Sequence, residues 1–159
     1  MQTVKPLFYA FGLLLMLVSC HQTIVYKKQF DIPNQVWTYQ DSLQFEWTIQ
    51  DTQTAYNLEL ELGHDQNVPY SNVYVLCHTI YPDKTEFTQP VSLDILDKHG
   101  RSNGQCSGRI CKCIIPLQTQ AHFPIQGNYS LIFTQYSRTD SFPGLHYLAL
   151  KINPDQQKK

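Results

Sequence analysis

Charge is scarce in this sequence, and that scarcity removes several functions at the outset. Only 16% of the 159 residues are Asp, Glu, Lys or Arg, and the formal net charge is −1. Nucleic-acid binding needs clustered Lys and Arg on one face. The pairs Lys27-Lys28 and Lys158-Lys159 are too short to supply it, so no nucleic-acid partner is expected. A membrane-spanning helix needs about 20 apolar residues. The run Leu7–Val18 has twelve. No Gly-x-Ser-x-Gly elbow and no Gly-rich phosphate loop occurs, and the six His residues are scattered. Ser141, Asp140 and His146 form a triad by composition only. Glu59 and Glu61 fall on the polar side of an alternating run, where carboxylates are solvated rather than paired for glycoside hydrolysis. No catalytic residue, no cofactor and no small-molecule substrate is therefore expected.

What the chain does have begins at its N-terminus. Lys5 precedes the apolar run, which ends in Leu17-Val18-Ser19-Cys20. A positive start, a short apolar core and a small residue before the cut define a secretory signal peptide. The Leu-x-Ser-Cys ending resembles the lipobox of bacterial lipoproteins. Residues 1–19 are thus expected to be removed between Ser19 and Cys20, leaving 20–24 as a short tether. The Cys20 thiol, the strong nucleophile at that junction, would take a diacylglyceryl group, and its freed amine an N-acyl chain. Several acyl chains hold a protein stably on a membrane surface. His21–Val25 has no Asp directly after Cys20 and no acidic stretch. The inner-membrane retention signal and the surface-export signal are both missing, which points to the outer membrane with the chain facing the periplasm.

The mature chain is dominated by period-two alternation, the mark of half-buried strands. Aromatics reach 13%, with ten Tyr, a mix suited to β-structure. In Ser42–Ile49 the residues Leu43, Phe45, Trp47 and Ile49 take one face, and in Tyr56–Leu62 the residues Tyr56, Leu58, Leu60 and Leu62 do so. Val73–Tyr81 is apolar on both alternating sets and reads as a central strand covered on both sides. Thr85–Leu96 contains Pro90, which favours an edge or a bulge. Further strands are expected near Ile24–Phe30 and over Ile110–Leu117, Gly127–Gln135 and Leu145–Ile152, with Asp97–Gly108 a loop. That makes about eight strands with little or no helix, in an antiparallel β-sandwich of immunoglobulin-like or jelly-roll type. One domain over 25–152 and a polar tail over 153–159 complete the layout. Gly127-Asn128-Tyr129 resembles a tyrosine corner.

Four further cysteines remain. Cys106-x4-Cys111-x-Cys113 with His99 does not match zinc-site spacing, and no metal is expected. In an oxidising compartment a disulfide from Cys106 to Cys111 or Cys113 is more natural. Cys77 reads as a buried small hydrophobe, or as a partner for Cys111 or Cys113 across the sheet. Tyr136, Arg138, Phe142, Pro143 and Gly144 combine the residue types of binding hot spots with a turn, and form the candidate partner contact. The alternative is a purely structural turn with Arg138 paired to Asp140. Trp37, Tyr39 and Trp47 could form a sugar-binding platform, although Trp47 follows the apolar face.

Taken in order, several segments resemble the GldH family of gliding-motility lipoproteins from the Bacteroidetes. They are Phe30-Asp31-Ile32-Pro33 leading to Trp37, Phe45-Glu46-Trp47, Tyr56-Asn57-Leu58, Pro69-Tyr70-Ser71-Asn72-Val73-Tyr74, Gly127-Asn128-Tyr129, Gln135–Asp140 and Phe142-Pro143-Gly144-Leu145. The stretch Gly100–Cys113 departs from the family pattern. The resemblance implies a non-enzymatic envelope lipoprotein of the gliding apparatus, linked to type IX protein secretion. Its partners would be the membrane, through the lipid anchor, and other gliding or secretion proteins of the envelope. A carbohydrate-binding or adhesion module is the alternative.

Cys20→Ala tests the anchor. The variant should take up no labelled palmitate and accumulate as uncleaved precursor; labelling at the wild-type level would refute lipidation at this residue.

Overall fold

The computed structural model describes residues 24–155. The expected signal peptide 1–19, the Ser19–Cys20 junction, the tether up to residue 23 and the end of the tail lie outside the described residues. The described chain runs through β1 (Tyr26–Asp31), β2 (Val36–Thr38), β3 (Ser42–Ile49), β4 (Tyr56–Asp65), β5 (Asn72–Ile80) and β6 (Glu86–Asp94), then β7 (Gln105–Ser107), β8 (Ile110–Ala121), β9 (Gly127–Gln135), β10 (Ser141–Pro143) and β11 (Leu145–Pro154). A single 3-10 turn at Pro33–Gln35 is the only helical element among the described residues. The structure is all-β, as the alternation implies, with eleven strands rather than eight.

Two antiparallel sheets carry the fold, in the orders β1-β11-β4-β8-β7 and β3-β9-β5-β6. Every step between consecutive long strands changes sheet, except the hairpin from β5 to β6. Eight strands that alternate between two four-strand rows in this way form a jelly roll, so the immunoglobulin-like option falls away. The extra strands are short. β7 hairpins onto β8, and β2 pairs with β10 in a separate two-stranded ladder.

The alternation is realised residue by residue. Along β3 every second side chain is buried, which places Leu43, Phe45, Trp47 and Ile49 inward. Tyr56, Leu58, Leu60 and Leu62 of β4 meet them from the opposite sheet, with Tyr129, Leu131 and Phe133 of β9 beside β3. Fully burying one such side chain contributes about 1.5–3 kcal/mol. Aromatic pairs close the side where β1 covers β3: Tyr26 lies 5.9 Å from Trp47 and Phe30 lies 5.1 Å from Phe45, centroid to centroid. The Tyr129 hydroxyl donates to the Ile125 carbonyl at 2.8 Å, the local bond of a tyrosine corner.

β5 corrects one expectation. It is central, between β9 and β6, but only Val73, Val75 and Cys77 are buried. Tyr74 on its other face is exposed, and Leu76 and Ile80 are half-covered. Among the described residues no second layer lies over that face, so an apolar composition there does not mean burial. Pro90 falls on β6, an edge strand, where its missing N–H is tolerated.

The inner layer sets stability. Phe133→Ala should cost about 3–5 kcal/mol in urea unfolding, from lost burial and the cavity left behind. Ile114→Ala, at an exposed position of β8, should stay within about 0.5 kcal/mol. Equal costs would contradict this layering.

Candidate functional site

The long strands give the sandwich two distinct ends. At one end lie the start of β1, the end of β11, and the turns joining β3 to β4, β5 to β6 and β8 to β9. At the other lie the β4–β5 loop, the β9–β10 loop and the turn into β3. The candidate contact residues fall at this second end, and the backbone there is tied down. Gln135 is buried at 2% exposure and spends both ends of its amide: Nε2 donates to the Thr139 carbonyl at 2.8 Å, and Oε1 accepts from the Ser137 N–H at 3.0 Å. The Tyr136 N–H donates to the Tyr74 carbonyl at 2.8 Å, and the Tyr74 N–H donates to Ser137 Oγ at 3.2 Å. The Tyr39 hydroxyl donates to the Ser137 carbonyl. Loop 136–140 is thus held from three elements.

These constraints shape a hollow of about 400 Å³ lined by Tyr70, Ser71, Asn72, Tyr74, Ser137, Arg138, Thr139 and Phe142. Tyr136 stands beside it at 57% exposure. Arg138 is exposed and makes no ion pair among the described residues, so the local Arg138–Asp140 bridge is not formed. Tyr, Ser and Asn around an Arg is the composition of antibody combining loops: rigid amphipathic area with adaptable hydrogen bonding. Phe142 takes a different place from the one the sequence suggests. At 1% exposure it is the floor of the hollow, 4.9 Å from the Tyr70 ring, and cannot itself face a partner. Pro143 is exposed in β10, and Gly144 turns the chain at φ +84°, its N–H donating to the Gln35 carbonyl at 2.8 Å. The sequence marks Tyr70, Tyr74 and Gln135 as parts of the family-like segments but not as site residues; the cluster Tyr70-Ser71-Asn72 with Tyr74 is the signal that could have found two of them.

The other candidates disperse. Trp37 is fully buried, its Nε1 donating to the Asp41 carbonyl at 2.9 Å, and Trp47 is 6% exposed. With both indoles inside, Trp37, Tyr39 and Trp47 form no surface platform. Cys106 and Cys111, directly opposed on β7 and β8, form a disulfide, which removes both as zinc ligands. Cys77 and Cys113 are free and buried. Burial pushes the Cys77 thiol up to about 11, against a small opposing effect of Thr79. His146 Nε2 lies 3.0 Å from Asp65 Oδ1, and nothing joins it to Ser141 or Asp140.

Two polar knots emerge that spacing did not reveal. Fully buried His64 has Nδ1 2.7 Å from the Asp65 carbonyl, which makes that nitrogen the donor. Its Nε2 then accepts from Ser102 Oγ at 3.1 Å, with Cys113 Sγ 3.4 Å away. Burial raises the Cys113 thiol, so this Cys–His pair is a sealed tie between β4, β8 and the 97–104 loop rather than a nucleophile. On the outer face, Lys151 Nζ lies 2.5 Å from Glu61 and the Tyr147 hydroxyl donates to it at 3.1 Å. Glu61 is therefore paired, not poised with Glu59. Gly63 is needed beneath them, because a Cβ there would collide with the Tyr147 ring.

Fold and site together define a jelly-roll β-sandwich with a tyrosine-lined hollow at one end. The sequence profile described as GldH lipoprotein matches residues 24–152, and the chain belongs to this family. Membership in a lipoprotein family places the protein at a membrane of the cell envelope. A search of curated proteins returns no match. Among solved structures, one of infectious bursal disease virus, Gx strain, shares 13% identity at a TM-score of 0.41, covering 85% of this chain and 33% of that one. The VP2 subviral particle of the same virus shares 15% at 0.39, covering 82% and 33%. The enzymatically active domain of tailspike protein 4 from bacteriophage CBA120 shares 10% at 0.28, covering 85% and 18%. The chain spans a third or less of each of these three.

Burial pushes the Glu61 carboxyl up, but the Lys151 ammonium and the Tyr147 hydroxyl outweigh it and hold it below the ordinary value. A carboxyl lowered in the folded state adds stability above its unfolded pKa, and that stability is lost as pH falls through the folded value. Glu61→Gln should therefore flatten the decline in urea midpoint as pH drops below about 4.3, the ordinary Glu value. Superimposable pH profiles would show that the pair contributes nothing.

Proposed function

We propose that this protein is a non-enzymatic accessory component of the gliding-motility machinery, linked to type IX secretion. In this reading the acyl chains on Cys20 hold the single sandwich module at the outer membrane, facing the periplasm. The hollow around Tyr70, Tyr74, Tyr136 and Arg138 then docks another envelope protein. The observation that supports the reading is that the described chain begins at the end of the sandwich opposite the hollow. The chain enters at the start of β1, level with Ile152 at the end of β11, while the hollow lies beyond the ends of β4 and β9. Strands of nine or ten residues set them about 30 Å apart. A tether at one end therefore presents the hollow away from the membrane.

An unpaired, exposed Arg138 among tyrosines favours a partner segment bearing a carboxylate. Arg and Tyr supply planar area and directional donors at little entropic cost. The buried Trp37 and Trp47 leave the carbohydrate reading without the surface it requires.

Arg138→Glu combined with Tyr136→Ala tests the proposal in a gliding host. Colony spreading should fall to the level of a deletion strain, with protein abundance and lipid labelling unchanged. A photocrosslinker at residue 136 should capture an envelope protein from the wild-type background and lose it on Arg138→Glu. Normal spreading with no crosslinked partner would refute docking through this end.

A further inference from the structure

The exposed tyrosines of this molecule are gathered at one end. Among the described residues they are Tyr39, Tyr70, Tyr74 and Tyr136. Tyr70 and Tyr74 line the hollow, with Phe142 in its floor 4.9 Å from the Tyr70 ring. Tyr136 stands on the loop beside it, and the Tyr39 hydroxyl holds that loop at the Ser137 carbonyl. The chemistry of this end selects among the kinds of segment that could enter.

Its backbone is already bonded. The Ser71 carbonyl accepts from the Ile95 and Leu96 N–H groups, and the Tyr74 carbonyl from the Tyr136 N–H. The Tyr74 N–H donates to Ser137 Oγ, and the Ser137 N–H to Gln135 Oε1. The Thr139 carbonyl accepts from Gln135 Nε2. An added strand needs a row of free backbone groups, and these positions offer none.

Its polarity favours acceptors. Arg138 brings the only formal charge of the lining, and no Asp, Glu or Gln stands there. A guanidinium only donates, and a phenol hydroxyl carries a donor of its own. A helix uses its carbonyls internally. A sugar brings hydroxyl donors along with its acceptors. A polyproline II segment has no internal hydrogen bonds, so its carbonyls are free, and each proline lacks an N–H. Exposed aromatic rings are also the surface on which proline-rich segments dock. A carboxylate beside the prolines would meet Arg138, whose fork matches it.

We propose that the hollow binds an acidic, proline-rich segment of an envelope protein in the polyproline II conformation, with prolines on the Tyr70, Tyr74 and Tyr136 rings and a carboxylate on Arg138. The proposal rests on the docking reading above and names the chemistry of the partner.

The full-length lipidated protein in detergent is titrated with fluorescein-labelled peptides of four repeats each: Pro-Pro-Asp, Ala-Ala-Asp and Pro-Pro-Lys. By anisotropy, the Pro-Pro-Asp peptide should bind about tenfold more tightly than either control. Tyr74→Ala and, separately, Tyr136→Ala should each remove most of that advantage over Ala-Ala-Asp. Arg138→Glu should turn the preference to the Pro-Pro-Lys peptide, with the thermal midpoint unchanged. Equal binding of the two Asp peptides would reduce recognition to charge and overturn the proposal. Tighter binding of tetragalacturonate, an acidic sugar, would overturn it too. The photocrosslinker at residue 136 separates the two readings. A captured envelope protein whose crosslinked stretch lacks proline keeps the docking role and refutes the proline-rich occupant. If nothing is captured, the docking role fails by itself, and the titration alone decides the hollow: selection of Pro-Pro-Asp sustains it and no selection refutes it.

Discussion

The structure depends on one constraint: two apolar sheet faces must meet in a single register. Strand side chains alternate with a period of two, so a slip of one residue on β3 would carry Leu43, Phe45, Trp47 and Ile49 into water and bring Gln44, Glu46 and Thr48 inside. Polar ties reinforce that register where the apolar layer thins. His64 continues the inward face of β4 beyond Leu62 and locks it to Ser102 and Cys113. The Cys106–Cys111 disulfide, two residues before Cys113, fixes the β7–β8 hairpin beside this tie.

Whatever could be read from local periodicity was legible. The bounds of β3 and β9 follow from alternation alone, and Tyr129 announced its corner through the Gly127-Asn128 turn. What depends on non-local partners was not. β2 and β10 are three residues each and exist only because Trp37 pairs with Phe142 across a long separation. The buried state of both Trp37 and Phe142 follows from that pairing, and no pattern within either segment carries it. The choice between immunoglobulin-like and jelly-roll order is likewise a matter of which strands cross between sheets. The cysteines divide the same way: several pairings suited the spacing, and the direct opposition of Cys106 and Cys111 across the hairpin selected one. In the candidate site, Tyr136 and Arg138 were visible as exposed residue types after a strand. Gln135, which holds their loop, looked like any other residue on an alternating strand.

The asymmetry between the two sides of the sandwich follows from how its edges are filled. β1 brings Tyr26 and Phe30 over β3, and these rings seal that side. Offset and edge-on aromatic pairs add about 0.5–1.5 kcal/mol each beyond their burial. The opposite side has no such cover. β6 turns Gln89 and Phe87 towards a space that the register shifts between β4 and β8 near Leu58 leave unfilled. Phe87 is left half in water there.

The two ends differ in a corresponding way. At the far end, hydrogen bonds fix the backbone and leave side chains free: loop 136–139 is pinned by Gln135 and by Tyr74, while Tyr136 and Arg138 point to solvent. That arrangement suits recognition of another protein, because a preordered loop loses little entropy on binding. At the near end, side chains are packed and backbone is the covering: Phe123 sits among Trp47, Tyr56 and Tyr129, with ring centroids 4.8–6.1 Å apart. The jelly roll keeps the two ends apart, since each long strand runs from one to the other. Separation by stiff strands is what this architecture supplies.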